Sequence, residues 1–213
     1  DDSAFRSMHR VIDFVDVDSD KWRQYAERKR FPTNLVYSRE HRLLRRYETR
    51  IADQFDASVL VSEDEARLFN TQLPTNLHSR VHGIPNGVDL EFFQPAISHN
   101  KPEFVTPSPE KTIVFTGAMD YWANVDAVVW FTNKVWPLIL ASDPECQFFI
   151  VGGNPAKPVK ELAQFQGVTV TARVNDIRPF IDQSAVVVAP LQIARGIQNK
   201  VLEAMAMEKP VVA

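Results

Sequence analysis

The sequence predicts an α/β protein built on mainly parallel sheets. Short apolar runs rich in Val, Ile and Phe alternate with longer stretches of helical period, the pattern of successive strand–helix–strand units. Two of those runs stop at glycines, Gly117 and Gly152-Gly153, with helical sequence after them. A polar, proline-containing stretch from Gln94 to Glu110 separates two alternating blocks and reads as a linker.

In the first block, Val11–Val17 is the opening strand. Asp18 or Ser19 can cap a helix running through Lys21, Trp22 and Tyr25 towards Lys29. Asn34 to Phe55 has the period of a long amphipathic helix, with Val36, Leu43, Leu44, Tyr47, Ile51 and Phe55 near one face. Ala57–Val61 is a strand, Ser62 followed by Glu65 is a capping-box start, and Arg80–Ile84 is a further short strand before the turn Pro85-Asn86-Gly87. In the second block, strands are expected at Thr112–Thr116, Gln147–Val151, Val168–Thr171, Ala185–Ala189 and from Pro210 onward. Helices are expected at Asn124–Leu140, Ala156–Phe165, Asp176–Asp182 and Asn199–Met207. The first of these is apolar nearly all round, so Trp130 and Trp136 are read as core.

The chain of 213 residues carries 24 Lys+Arg against 27 Asp+Glu and is 45% hydrophobic, a balance that argues against disorder or a collagen-like chain. No apolar run approaches the roughly 18–20 residues of a membrane span. The single cysteine, Cys146, excludes an intrachain disulfide, has no activating neighbour in sequence and favours a reducing, cytoplasmic setting. The chain begins Asp1-Asp2-Ser3 and stops in the apolar run Pro210-Val211-Val212-Ala213, so an internal piece of a longer protein is expected. Residues 21–50 hold ten Lys+Arg against three Glu. That segment is either a solvated helix face or a surface for anionic headgroups at the inner face of a membrane, or for a pyrophosphate-bearing acceptor. The acidic balance of the whole argues against nucleic acid.

There is no G-x-G-x-x-G after a strand, no P-loop, no H-E-x-x-H and no paired C-x-x-C, and the histidines lack metal-ligand spacing, so no metal site and no cofactor are expected. The most informative stretch runs from Pro190 to Ala206. A buried strand ends in a loop containing Arg195 and Gly196, continues through Ile197, Gln198 and Asn199, and enters a helix carrying Lys200 and Glu203. Gly196 lets backbone approach an anion, Arg195 and Lys200 bring two positive charges, and the helix start adds free N–H groups. Glu203, one turn in, can accept two hydrogen bonds from a vicinal diol such as ribose. Together these suit a nucleoside diphosphate; the alternative is a surface loop with incidental charges and a first-turn acid matching the helix dipole.

At these residues the sequence resembles the donor-site motif of retaining glycosyltransferase family 4, which has the GT-B fold. That motif is Glu-x7-Glu followed by Ala-Met-Ala and Pro-Val-Val, matched here by Glu203-Ala204-Met205-Ala206 and Pro210-Val211-Val212. Pro85-Asn86-Gly87-Val88-Asp89 resembles the junction of the family's two Rossmann-like domains, and Val59-Leu60-Val61-Ser62 its strand leading into a Ser-capped helix. Asp13–Trp22, Gly117–Asp126 and Arg195–Lys200 resemble the branch associated with exosortase (PEP-CTERM) exopolysaccharide systems in bacteria. The resemblance implies an acceptor-side domain at 1–88, a linker at 89–110 and a nucleotide-sugar domain at 111–213.

It also implies transfer of a hexosyl group from a nucleotide sugar to a hydroxyl of a polysaccharide or lipid-linked acceptor, with the anomeric configuration retained and no cofactor. Gly117, Trp122 as a stacking ring, Arg173 and Val174 near the base, and the 195–203 segment are implied on the donor side. Asp16, Asp18 and Arg195 are implied in catalysis, with Lys21 on the acceptor side; the bland alternative is that Asp18 or Ser19 caps a helix while Lys21 and Trp22 pack locally. Two departures stand out. The first motif glutamate is Arg195 here, and the family's Arg and Lys after the first strand of the second domain have no counterpart in Gly117–Asp126. Arg195 and Lys200 are the replacements available for the diphosphate. Two competing expectations are a binding module without turnover and a sugar-nucleotide epimerase; this piece alone is expected to be inactive.

Overall fold

The computed structural model describes residues 7–95, 106, 108–192 and 198–213. They form two compact units, the first ending at Asn86 and the second beginning at Gly87.

The first unit holds a parallel three-stranded sheet in the order β1 (Val11–Val15), β2 (Ala57–Leu60), β3 (Val81–Gly83). Its helices are α1 (Asp18–Arg28), α2 (Thr33–Gln54) and α3 (Glu63–Asn70). The core gathers Val17, Ala52, Leu60, Ala66, Phe69, Leu73 and Leu77. Ser62 accepts the Glu65 N–H at 3.1 Å, as the expected cap of α3 requires. The Glu65 carboxylate accepts the Val17 N–H at 2.9 Å.

That contact corrects the expected cap of α1. Neither Asp18 nor Ser19 caps the helix: the N-cap is Val17, with no side-chain cap. The free N–H groups are satisfied from other helices, Val17 by Glu65 of α3 and Ser19 by Glu48 of α2 at 2.9 Å. A second correction concerns α2. Val36, Leu43 and Tyr47 are exposed, and the buried positions of the helix are Glu48 and Ala52. The helix is seated by a polar anchor, because the Glu48 carboxylate supplies an acceptor that α1 needs.

The second unit holds a five-stranded parallel sheet in the order β6-β5-β4-β7-β8. Its strands are β4 (Thr112–Thr116), β5 (Gln147–Val151), β6 (Val168–Val170), β7 (Val186–Val188) and β8 (Val211–Val212). Every residue of β4 is buried, because the sheet is covered on both faces. Phe115, Phe148 and Ile150 enter one cluster with Val128, Phe131 and Trp136, while Val114, Phe149 and Val151 enter another with Ile181, Ala204 and Met207. The helices are α4 (Trp122–Lys134), α5 (Trp136–Ser142), α6 (Lys157–Lys160), α7 (Arg178–Asp182) and α8 (Asn199–Ala206).

The single helix expected over Asn124–Leu140 is two, joined at Val135, because Pro137 has no N–H to continue the ladder and opens the first turn of α5. Trp130 is also corrected: it is 38% exposed, on the side of α4 away from the core, whereas Trp136 is buried as expected. Of the linker stretch, 96–105 and 107 lie outside the described residues. Thr106 is buried, its N–H donating to Gln183 Oε1 at 2.9 Å, and Phe93 packs on the second unit's core.

Glu65→Ala leaves the buried Val17 N–H without an acceptor and should lower the opening free energy of α1 by about 1–3 kcal/mol. Arg67→Ala, which removes an exposed pair with Asp64, should change it by less than about 0.5 kcal/mol. Native-state hydrogen exchange along α1 measures both.

Candidate functional site

The strand order of the second sheet reverses at β4. β5 and β6 lie on one side of it, β7 and β8 on the other. The chain leaving the carboxyl ends of β4 and β7 therefore diverges, and in open parallel sheets ligands bind in the crevice at that point.

The segments at this edge are tied to one another. The Gly117 N–H donates to Val151 O at 3.1 Å, the Met119 N–H to Gly153 O at 3.0 Å, and the Ala156 N–H to Met119 O at 3.0 Å. Asn154 Nδ2 donates to Asp120 Oδ2 at 3.2 Å. Gly152 has no room for a side chain, since a Cβ there would lie 1.7 Å from Gly117 O. After β6, the Thr171 hydroxyl accepts the Gly152 N–H at 3.2 Å and donates to Ala172 O at 2.8 Å. Exposed Arg173 runs beside Gly153, and Val174 turns inward against the second core cluster.

Lys200, on the first turn of α8, reaches into this edge. Its Nζ donates to Asn124 Oδ1 at 2.7 Å and stands 4.2 Å from the centre of the Phe115 ring at the end of β4. Asn124 is itself fixed, Nδ2 donating to Ala118 O at 2.9 Å. Lys200 is 8% exposed and Asn124 6%. Gly117 permits the close approach: a Cβ on it would lie 2.7 Å from Asn124 Nδ2 and 3.4 Å from Lys200 Nζ.

Among the described residues the Lys200 ammonium has no ion-pair partner. Burial pushes its pKa from 10.5 down to about 8, with Glu203 opposing through space. Burial also pushes the half-buried Glu203 carboxyl up, with Lys200 opposing. Gln198 caps α8 by position only, without a side-chain cap bond. The assembly is a cation held out of water beside a helix N-terminus, and an anion arriving there would restore the charge balance that burial denies.

Of the residues expected on the donor side, Gly117 and Lys200 converge, and Glu203 stands one turn further along α8. Gln198 and Asn199 begin the helix. Arg195, Gly196 and Ile197 lie outside the described residues. Trp122 heads α4 rather than a loop and is 38% exposed, edge-on to Tyr121 at 6.1 Å. Sequence reading missed Asn124 and Phe115 as the partners of Lys200. The available signal was an asparagine inside an otherwise apolar helix, which burial obliges to find a hydrogen-bonding partner.

In the first unit, Lys21 Nζ lies 3.0 Å from Asp16 Oδ2 and 2.8 Å from Asp18 Oδ1, so one ammonium holds both carboxylates. The pairing keeps the Lys21 pKa above its ordinary value although burial pulls the other way. Trp22 stacks on Tyr37 at 5.5 Å and packs locally. The chain turns into this cluster through Val15, whose φ of +66° is costly for a β-branched residue. Cys146 has its thiol pKa raised, chiefly by burial, the opposite of an activated nucleophile. Among the described residues no three His, Cys, Asp or Glu side chains converge to hold a metal ion, and no helix is long and apolar enough to cross a membrane.

The buried ammonium fixes a pH dependence. Between about pH 8 and 10.5 the unfolded chain holds a proton at Lys200 that the folded one has lost, so stability of the second unit rises with pH across that window. Relative to Lys200→Met, the wild type should gain up to about 3 kcal/mol from pH 7 to 10.5, measured by urea unfolding at each pH.

Solved structures with this fold include a sucrose-phosphate synthase from Thermosynechococcus elongatus (18% identity, TM-score 0.66, covering 94% of this chain and 49% of that one). HepE of Anabaena, solved in complex with UDP and glucose, matches at 16% identity and TM-score 0.60 over 94% of this chain and 51% of that one. A glycosyltransferase from Rickettsia africae matches at 16% identity and TM-score 0.57 over 90% and 60%. The chain thus spans about half the length of these proteins. No curated protein sequence matches it. Residues 110–213 match the family described as glycosyl transferases group 1, and the α/β, parallel-sheet fold is that of GT-B glycosyltransferases.

Proposed function

We propose that this chain is part of a retaining glycosyltransferase of family 4, of the exosortase-associated branch. It would transfer a hexosyl group from a nucleotide sugar to a hydroxyl of a polysaccharide or lipid-linked acceptor in exopolysaccharide synthesis. The observation that carries the reading is the buried Lys200 ammonium at the strand-order reversal, without an ion-pair partner among the described residues. As the bond from the sugar to the diphosphate breaks, negative charge grows on the leaving group and the sugar takes on oxocarbenium character. A fixed cation in a desolvated site stabilises that charge without reorganising.

Lys200, with Arg195 and the first N–H groups of α8, is the group proposed to hold the diphosphate. Glu203 is proposed to accept from the ribose hydroxyls; burial raises its carboxyl pKa, with Lys200 opposing. Trp122 is the proposed stacking surface, and Arg173 and Val174 the backbone near the base. Asp16 and Asp18, clasped by Lys21, are proposed to position the acceptor hydroxyl. Arg195 in place of the first motif glutamate favours one second reading, nucleotide-sugar binding without turnover.

UDP is the first probe, since HepE was solved with it. Arg195→Ala with Lys200→Ala should weaken binding of the nucleoside diphosphate by at least about 100-fold, as loss of two charge-assisted contacts implies, and binding of uridine by less than about threefold. Equal loss for the two ligands removes the proposed role. Radiolabelled nucleotide sugars incubated with the full-length parent protein and a lipid extract then separate the two readings: label entering lipid supports transfer, and binding without transfer supports the module.

A further inference from the structure

A cavity of about 610 Å³ in the first unit lies between α2 and the turn that follows α3, lined by Arg42, Arg45, Arg46 and Thr49 on one side and by 71–74 on the other. We propose that it is a binding site for a phosphomonoester or pyrophosphate group, separate from the donor site and not dependent on that reading.

Three other helical arginines of this chain are paired with carboxylates. Arg23 is matched by Asp20 and Glu27, Arg39 by Glu40, and Arg67 by Asp64. Arg42, Arg45 and Arg46 have no such match among the described residues, and no carboxylate lines the cavity. Positions i, i+3 and i+4 bring the three guanidiniums to one helix face, where like charges repel unless an anion lies between them. Arg42 spends one donor on its own helix, Nε to Ser38 O at 3.3 Å. The remaining N–H forks are free to take a phosphate in bidentate fashion.

The opposite wall is held in place. Gln72 Oε1 accepts the Ser19 hydroxyl at 3.1 Å, and the Ser19 N–H is bound by Glu48, the anchor of α2. The Gln72 amide N–H groups therefore stay available to the cavity while its oxygen is engaged. The lining holds no aromatic ring, so the stacking surface that a single-stranded nucleic acid uses is missing. A compact, multiply charged anion fits three forks on one helix face better than an extended one. The same chemistry is offered by a soluble pyrophosphate and by the phosphate headgroup of an anionic lipid.

Labelling of arginines with phenylglyoxal, read by peptide mapping on the whole chain, tests the site. Inorganic pyrophosphate should protect Arg42, Arg45 and Arg46 at least about fivefold while leaving Arg39 and Arg50 unchanged. Protection by phosphatidic acid vesicles but not by pyrophosphate assigns the site to a lipid headgroup; protection by pyrophosphate assigns it to a soluble anion. The triple variant R42A/R45A/R46A should lose binding at least about tenfold, and the charge-matched R28A/R39A/R50A should lose less than about twofold, circular dichroism confirming that both fold. R42K/R45K/R46K keeps the charge and loses the forks, and should recover less than half of the binding. Uniform protection along α2, or equal loss in the two alanine triples, makes the surface merely cationic and overturns the proposal.

Discussion

The second unit is organised around an ammonium group kept out of water. Lys200 is buried where the sheet reverses its strand order, held by one amide oxygen and one aromatic face. Desolvating a charge costs several kcal/mol, and Asn124 and the Phe115 ring return only part of that cost. The close approach of Gly117 and the clasp of Asn124 onto Ala118 both follow from the need to seat that cation. The deficit left by that burial has the sign that an anion corrects.

The sheet makes the arrangement rigid. β4 is buried on both faces, and its neighbours on either side carry the chain away in opposite directions. The segments after β4 and β5 are joined by backbone hydrogen bonds, and Gly152 lets them touch. Lys200 is thus seated against the segment that follows β4, through Asn124 and beside Gly117. In the first unit the same economy appears at α1, whose N–H groups are satisfied by carboxylates of α2 and α3.

Much of this was legible in the sequence where the signal is local. The β-branched and aromatic runs of β4 and β5 are read to the residue, because burial on both faces leaves no polar interruption. The Ser62 cap is read because both partners lie within three residues. Signals that depend on distant partners were not legible. Glu48 looks like one more charge on a helix surface until Ser19, 29 positions away, is found against it. Asn124 and Lys200 lie 76 positions apart, and nothing in either segment announces the other. The buried face of α2 differs from the apolar one for the same reason: a polar anchor, invisible to hydropathy, ties the helix to α1.

The role proposed for Lys200 is that of a buried cation neutralised by an arriving anion. Nuclear magnetic resonance of Nζ-labelled lysine, titrated with pH, reads it directly. One ammonium should titrate near 8 in the free protein and be absent in Lys200→Met, and its pKa should climb by more than one unit when a nucleoside diphosphate is added. A Lys200 that titrates near 10.5, or one whose depressed pKa does not move in the presence of saturating diphosphate, would contradict it.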